Sequence, residues 1–430
     1  MSTTPDIDQL RISFIKAATW HGTLDEAEAM LSQHPELAQL DIHTAAILGD
    51  HEGIRKFLAE DKNNAMATSE PYGANPLTHL CLSKYLRLGR RTDADFIQSA
   101  TLLLDAGADP NGGFWTTGKF PEYETPLYGA AGVAHHAGLT RLLLERGADP
   151  NDEDAVYHSP EGYDNDALKL LVETGRITPE NLALMLIRKH DWHDDEGVKY
   201  LLEQGAHPNH TWRSGLSPVH QALRRGNSLH IFSMLMDYGA DPLITYEGLT
   251  AVARAAREGR SDVLELFKQR GFSIDLQGVD KLIAAAAMGD TARANAIAAA
   301  AMDDTDQANA MGDTARAKGA LLARFTLSNN QAGVRTLLAL GIDVNTPYIE
   351  GDGYWGIPPN SLPIHIAAWL LHPDMVNLLL ENGAVVDQPD ANGQTPLMLA
   401  EKACVDSYWK HRCSGELIAT LREARAPRQL

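Results

Sequence analysis

Cysteine is scarce: Cys81, Cys404 and Cys413 are the only three in 430 residues. Three are too few for a disulfide framework and fit a reducing cytoplasm. None forms the Cys-x-x-Cys pair of a structural zinc site. Basic residues are outnumbered, 37 Lys and Arg against 57 Asp and Glu, for a formal charge of −20. That balance disfavours wholesale binding to nucleic acid or to anionic membrane, since both require a basic surface. No apolar run approaches transmembrane length, and the start MSTTPDIDQLRISF lacks the basic and apolar regions of a secretory signal. Common catalytic signatures are missing as well: no G-x-S-x-G, P-loop, G-x-G-x-x-G before a helix, or H-E-x-x-H. These absences lead to the expectation of a cytoplasmic chain with no cofactor, no metal and no nucleic-acid or membrane partner.

What the chain has is repetition. LLLDAGADPN ends at Asn111, LLLERGADPN at Asn151, LLEQGAHPN at Asn209, LMDYGADPL at Leu243, LLALGIDVN at Asn345 and LLLENGAVVD at Asp387. A second signature precedes the tails: TPLYGAA, SPVHQAL, LPIHIAA and TPLMLA. Thr or Ser caps a helix whose first turn holds Pro, and the tail Gly permits a left-handed exit from a second helix. One such helix pair cannot bury its apolar face alone, so neighbours must stack.

Two motifs recurring in register resemble the ankyrin-repeat family, in the style of many-repeat bacterial arrays, whose unit of ~33 residues is a turn and two antiparallel helices. The resemblance implies an all-α ankyrin-repeat solenoid of about twelve helix-turn-helix units with finger loops, some of them degenerate. We expect degenerate N-terminal units over 1–70, central units with long finger loops over 71–276, Ala-rich degenerate units over 277–325, and C-terminal units with a cap over 326–430. AMGDTARA, at 287–294 and again at 310–317, marks the Ala-rich stretch as a short duplication and a weak joint.

HDWHDDEG at 190–197 concentrates histidines and acids. Within the repeat register it spans the end of one helix and the turn into the next, a place that suits a solvated turn better than a metal site formed by His190, His193 and Asp194. His193 stands where the family usually has Gly. In the family, projecting turns form fingers and the exposed side of the first helices forms a palm, and the resemblance puts Asp191 and Trp192 on that palm. It also implies that His43, His220 and His365, at the T-P-L-H histidine, bond neighbouring backbone, with Tyr128 and Tyr157 at equivalent places.

Irregular units cluster in the middle of the chain. One carries Tyr157, His158 and Tyr163, the next Arg188, Asp191 and Trp192, and a third Trp212, Arg213, Gln221 and Arg224. Two long finger loops add Trp115 and Tyr123, and Tyr354 and Trp355. A further insertion brings a basic run, Lys84, Arg87, Arg90 and Arg91, which reads as a solvated helical extension. Aromatic residues on fingers and palm serve recognition better than a repeat core built of Leu, Ala and Val. Together with Tyr128 these residues form the predicted surface for a protein partner in the concave groove. The alternative is an enzyme or small-molecule binder, with Tyr157, His158, Arg188, His190, Asp191 and His220 supplying acid, base and anion-holding groups.

Overall fold

The computed structural model describes residues 6–87, 92–212, 215–302 and 320–425. Arg90, Arg91, Arg213 and the second AMGDTARA copy lie outside the described residues. The chain divides into two compact halves, Met1–Trp212 and Arg213–Leu430.

Both halves consist of consecutive helix pairs, from Ile7–Ala18 with Leu24–Gln33 to Pro396–Val405 with Gly415–Arg425. Local chemistry accounts for the helix starts. Asn75, Thr178, Ser217 and Thr395 cap helices whose first position is Pro76, Pro179, Pro218 or Pro396, each cap accepting a backbone N–H three residues on. The tail glycine turns the chain left-handed, as at Gly147 with φ 96°. First helices pack on first helices, as Ile42–Ile47 does on Pro76–Cys81, and second on second, as His51–Glu60 does on Asp93–Asp105. Leu143, Leu171, Leu201, Leu235 and Leu379 are fully buried between the layers.

The terminal Asn of the GADPN tail joins one unit to the next. Asn111 Nδ2 donates to the Gly147 carbonyl (3.1 Å), and its Oδ1 accepts from Asp149 N (2.8 Å). Asn151 makes the same pair of bonds with Arg176 and Thr178, and Asn345 with Gly383 and Val385. An amide that both donates and accepts can satisfy two backbone groups of the following turn at once.

Several details depart from expectation. His220 and His365 bond backbone as predicted, to the Leu249 and Gln388 carbonyls. His43 instead pairs with His79, Nδ1 to Nδ1 at 3.1 Å, in a fully buried contact. Cys404 and Cys413 form a disulfide where none was anticipated, leaving Cys81 as a buried thiol. The first long finger is a short hairpin, Phe114–Trp115 against Tyr123–Glu124. The helix that follows it, Tyr128–Val133, is a π-helical turn in which Ala134 N–H reaches back five residues to the Gly129 carbonyl (3.0 Å).

Candidate functional site

A hollow of about 510 Å3 opens in the first half. It sits at the C-terminal ends of first helices, where each chain turns towards its second helix. That turn demands a left-handed residue. Gly49 supplies it in one unit, at φ 63°, but Trp20 (φ 48°), His135 (φ 49°) and His193 (φ 53°) occupy it elsewhere in the same half. Side chains in this region cost of order 1–2 kcal/mol each and collect at functional sites. Trp20 and His135 both line the hollow.

Trp20 is held from several sides. Its backbone N–H donates to the Leu82 carbonyl (2.9 Å), and its indole Nε1 donates to the Tyr128 hydroxyl (3.3 Å). Tyr72 and Phe114 meet its ring edge-on at 5.9 and 5.6 Å. Tyr128 continues the wall towards His158, ring to ring at 5.4 Å. Gly132, on the π-helical turn, leaves the room for this: an added Cβ would stand 2.9 Å from both His158 Cβ and Tyr128 Cδ2.

The opposite rim is the loop that carries Glu161, Tyr163 and Asp164, with Trp192 beside it. The loop is fixed from below by Lys189, whose side chain is entirely buried. Its Nζ donates to the Pro160 carbonyl (3.1 Å) and the Gly162 carbonyl (2.8 Å), and pairs with Asp194 Oδ2 (2.8 Å). Asp194 also accepts from Asn165 Nδ2 (2.8 Å) and caps the next helix at Gly197 N (3.0 Å). Burial lowers the Lys189 pKa against the pull of Asp194. Burial would raise Asp194, but Lys189, Asn165 and the Gly197 N–H outweigh it and hold the carboxyl below its ordinary value.

A chain of charges runs along this rim. His158 Nδ1 and Arg188 Nη2 both lie 2.9 Å from Glu161 Oε1. Arg188 also pairs with Asp191, donates to the Tyr157 carbonyl (3.3 Å) and lies over the Tyr157 ring at 4.1 Å. Burial pushes Glu161 up, yet His158 and Arg188 bring it below the usual carboxylate range. Burial drives the Tyr128 phenol up to about 12. On the inner face of the finger hairpin, Glu124 is 2 % exposed, and its Oε2 has no hydrogen-bond partner among the described residues. Burial, then the charges of Asp154, Glu122 and Asp152, push it up to about 8.

The predicted site residues are distributed unevenly. Tyr128, His158 and Trp192 line the hollow, and Arg188 and Asp191 brace its rim. Tyr157 lies under Arg188, with the Trp212 ring 5.8 Å away. His190 is fully buried, its Nδ1 2.6 Å from the Leu186 carbonyl, and burial lowers its pKa to about 4. Trp115 stands 65 % exposed on the hairpin, 5.1 Å from the Tyr123 ring. His220, Gln221, Arg224, Tyr354 and Trp355 belong to the second half. There, burial lowers His220 to about 4, Gln221 is buried and accepts from Arg224 (3.4 Å), and Arg225 covers the Tyr354 ring. Trp355 stacks on Trp409 at 5.3 Å and packs against a core of Tyr348, Ile357 and Ile366. Among the described residues no group of three His, Cys, Asp or Glu side chains is placed to hold a metal ion, and no helix is long and apolar enough to cross a membrane.

Sequence reasoning missed Trp20, His135, Glu161 and Asp164 as parts of the site. A signal existed for the first two: each stands where a sister unit has the turn glycine.

Comparison with known proteins agrees with this architecture. The family model for ankyrin repeats in three copies matches residues 184–278, and the single ankyrin repeat matches 122–155 and 361–391. The chain is similar to human transient receptor potential cation channel subfamily A member 1, 25% identical over 293 residues, which are 64% of this chain and 25% of that protein. It is also similar to human BCL-6 corepressor-like protein 1, 43% identical over 82 residues, 19% of this chain and 4% of that protein. The chain thus spans a quarter or less of the length of these relatives. With the capped helix pairs, the Asn-linked tails and the family match in register, the chain is an ankyrin-repeat protein.

Proposed function

We propose that the chain recognises a protein partner through the hollow of its first half, with Trp20, Tyr163 and Trp192 as aromatic anchors. Ankyrin repeats serve as protein-interaction modules, and the observation that supports a specific surface is the exposed aromatic rim on a braced loop. Tyr163 is 58 % exposed and Trp192 37 %, while the buried Lys189 and Asp194 hold the backbone that presents them. Large aromatic residues on a preorganised support are the commonest interface anchors, because little freedom is lost on binding.

The enzyme reading has less support. Of its six candidates, only His158 lines the hollow, and its Nδ1 is taken up by Glu161. His190 bonds main chain within the core, and His220 belongs to the other half.

The test is affinity capture by the full chain, wild type against a Tyr163→Ala, Trp192→Ala double variant. Truncating interface anchors costs about 2 kcal/mol or more each, so a partner of this surface disappears from the variant. Recovery of the same proteins by both chains, with both folded, overturns the proposal.

A further inference from the structure

The partner's chemistry can be argued further, on the basis of the proposed recognition surface. We infer that the hollow takes a cationic side chain of a basic peptide segment, seated against Trp20, Tyr163 and Trp192 and attracted by Asp164 and Glu161.

Three observations carry this. First, the walls are π-faces and carboxylates together: Trp20, Tyr128, Tyr163 and Trp192 line the same hollow as Glu161 and Asp164. Aromatic faces attract ammonium and guanidinium groups, Trp most strongly, and more so as the cation loses water. Second, the local charges do not cancel. Lys189 and Asp194 neutralise each other, and Arg188 together with His158 is set against Glu161 and Asp191. Asp164, exposed on the rim, remains as additional negative charge. Third, the acidity of the chain is concentrated here. Residues 1–212 hold 17 Lys and Arg against 33 Asp and Glu, a formal −16 of the total −20. A field of that sign draws in basic partners and speeds their encounter. The chain already uses this contact internally, in Arg188 over the Tyr157 ring at 4.1 Å.

The fit is to a basic residue rather than to an anion. No Lys or Arg is among the residues that line the hollow. Arg188 and Lys189 beside it are occupied by Asp191, Glu161, Asp194 and backbone carbonyls. Of the lining histidines His21, His135 and His158, the last is paired with Glu161.

The experiment uses the full chain and a fluorescein-labelled peptide of alternating Lys and Gly, with a Glu–Gly peptide as its counterpart, read by fluorescence anisotropy at low and at moderate salt. Wild type is expected to bind the Lys peptide and not the Glu peptide. Trp192→Ala, which leaves the net charge unchanged, is expected to weaken binding about three- to thirtyfold, and Trp192→Phe to restore part of it. Asp164→Lys is expected to weaken it comparably. Equal binding by wild type and Trp192→Ala would mean that bulk charge alone attracts the peptide, and overturns the inference, as does no binding of the Lys peptide. A captured partner lost with Trp192→Ala but kept with Asp164→Lys, and not displaced by the Lys peptide, leaves the recognition surface standing and removes only its cationic specificity.

Discussion

Lys189 Nζ and Asp194 Oδ2 lie 2.8 Å apart with side chains 0 % and 7 % exposed, an ion pair placed directly beneath the loop that presents Tyr163 and Asp164. Taking away one member of a buried pair leaves the other charge without compensation, which costs about 3–5 kcal/mol. Asp194→Ala is therefore expected to destabilise the chain by that amount. The Lys189→Met, Asp194→Leu double variant is expected to lose much less. Urea unfolding of the two variants checks this, and equal losses would show that the pair is not what supports the loop.

Gly197 offers a test of opposite sign to common experience. Replacing an interior helical Gly by Ala ordinarily stabilises by about 0.5–1 kcal/mol. Here an added Cβ would lie 2.1 Å from Lys189 Cε. Gly197→Ala is expected to destabilise by about 1–3 kcal/mol through overpacking and to loosen the loop held by Lys189. Hydrogen exchange at residues 160–165 reports the second effect.

The turn residues predict a trade between stability and recognition. His135 holds φ 49° where a sister unit has Gly49 at φ 63°. His135→Gly removes the steric cost of that conformation and is expected to raise stability by about 1 kcal/mol. A loss of stability on this substitution would mean that the imidazole contributes more in contacts than its backbone costs. Thermal unfolding decides between the two.

Stability should pass through a maximum with pH. Glu124 moves from an ordinary 4.5 to about 8 on folding. The folded chain therefore binds that proton more tightly, and the benefit is complete below pH 4.5 and lost as pH rises to 8. His43, His190, His220 and His372 are each lowered from 6.5 to about 4, chiefly by burial. Their contribution is complete above pH 6.5 and lost as pH falls towards 4. Glu124→Gln is expected to flatten the alkaline limb and leave the acid limb in place. A melting-temperature profile from pH 4 to 9 with both limbs unchanged in the variant would contradict the buried-carboxyl account.

Much of the architecture was legible in the sequence because its signals are local. A Thr or Ser cap, a Pro in the first turn and a tail Gly each act within a few residues. Tyr128, His158 and Trp192 stand out in the sequence because Tyr128 replaces the T-P-L-H histidine and the other two fall on the exposed side of first helices in a Leu/Ala-rich repeat. The rest depended on distance. Trp20 meets Tyr128 across 108 positions, and only the stacking of intervening units creates that contact. Trp355 looked like a finger aromatic, but its partner is Trp409 from the far end of the chain. HDWHDDEG divided in a way that composition does not reveal: His190 enters the core, Trp192 faces the hollow, His193 makes the turn and Asp194 finds a lysine.

In the second half, Asn330 Nδ2 donates to the carbonyls of both Gly259 and Ala287 (2.7 Å each), and Ser328 Oγ reaches the Glu258 carbonyl. Phe325 leaves no space for a Cβ at Gly259, where one would stand 2.5 Å from its ring. The helix Ala320–Leu327 thus touches Ala251–Arg257 directly, although the Ala-rich pair Gly278–Ala287 and Thr291–Met302 lies between them in sequence. In a linear array each unit feels only its neighbours, and a weak member divides the whole into separately melting segments. A contact that skips one member removes that vulnerability. Alanine-rich helices with little area to bury can be carried along without interrupting cooperativity, and the second half is expected to unfold in a single transition.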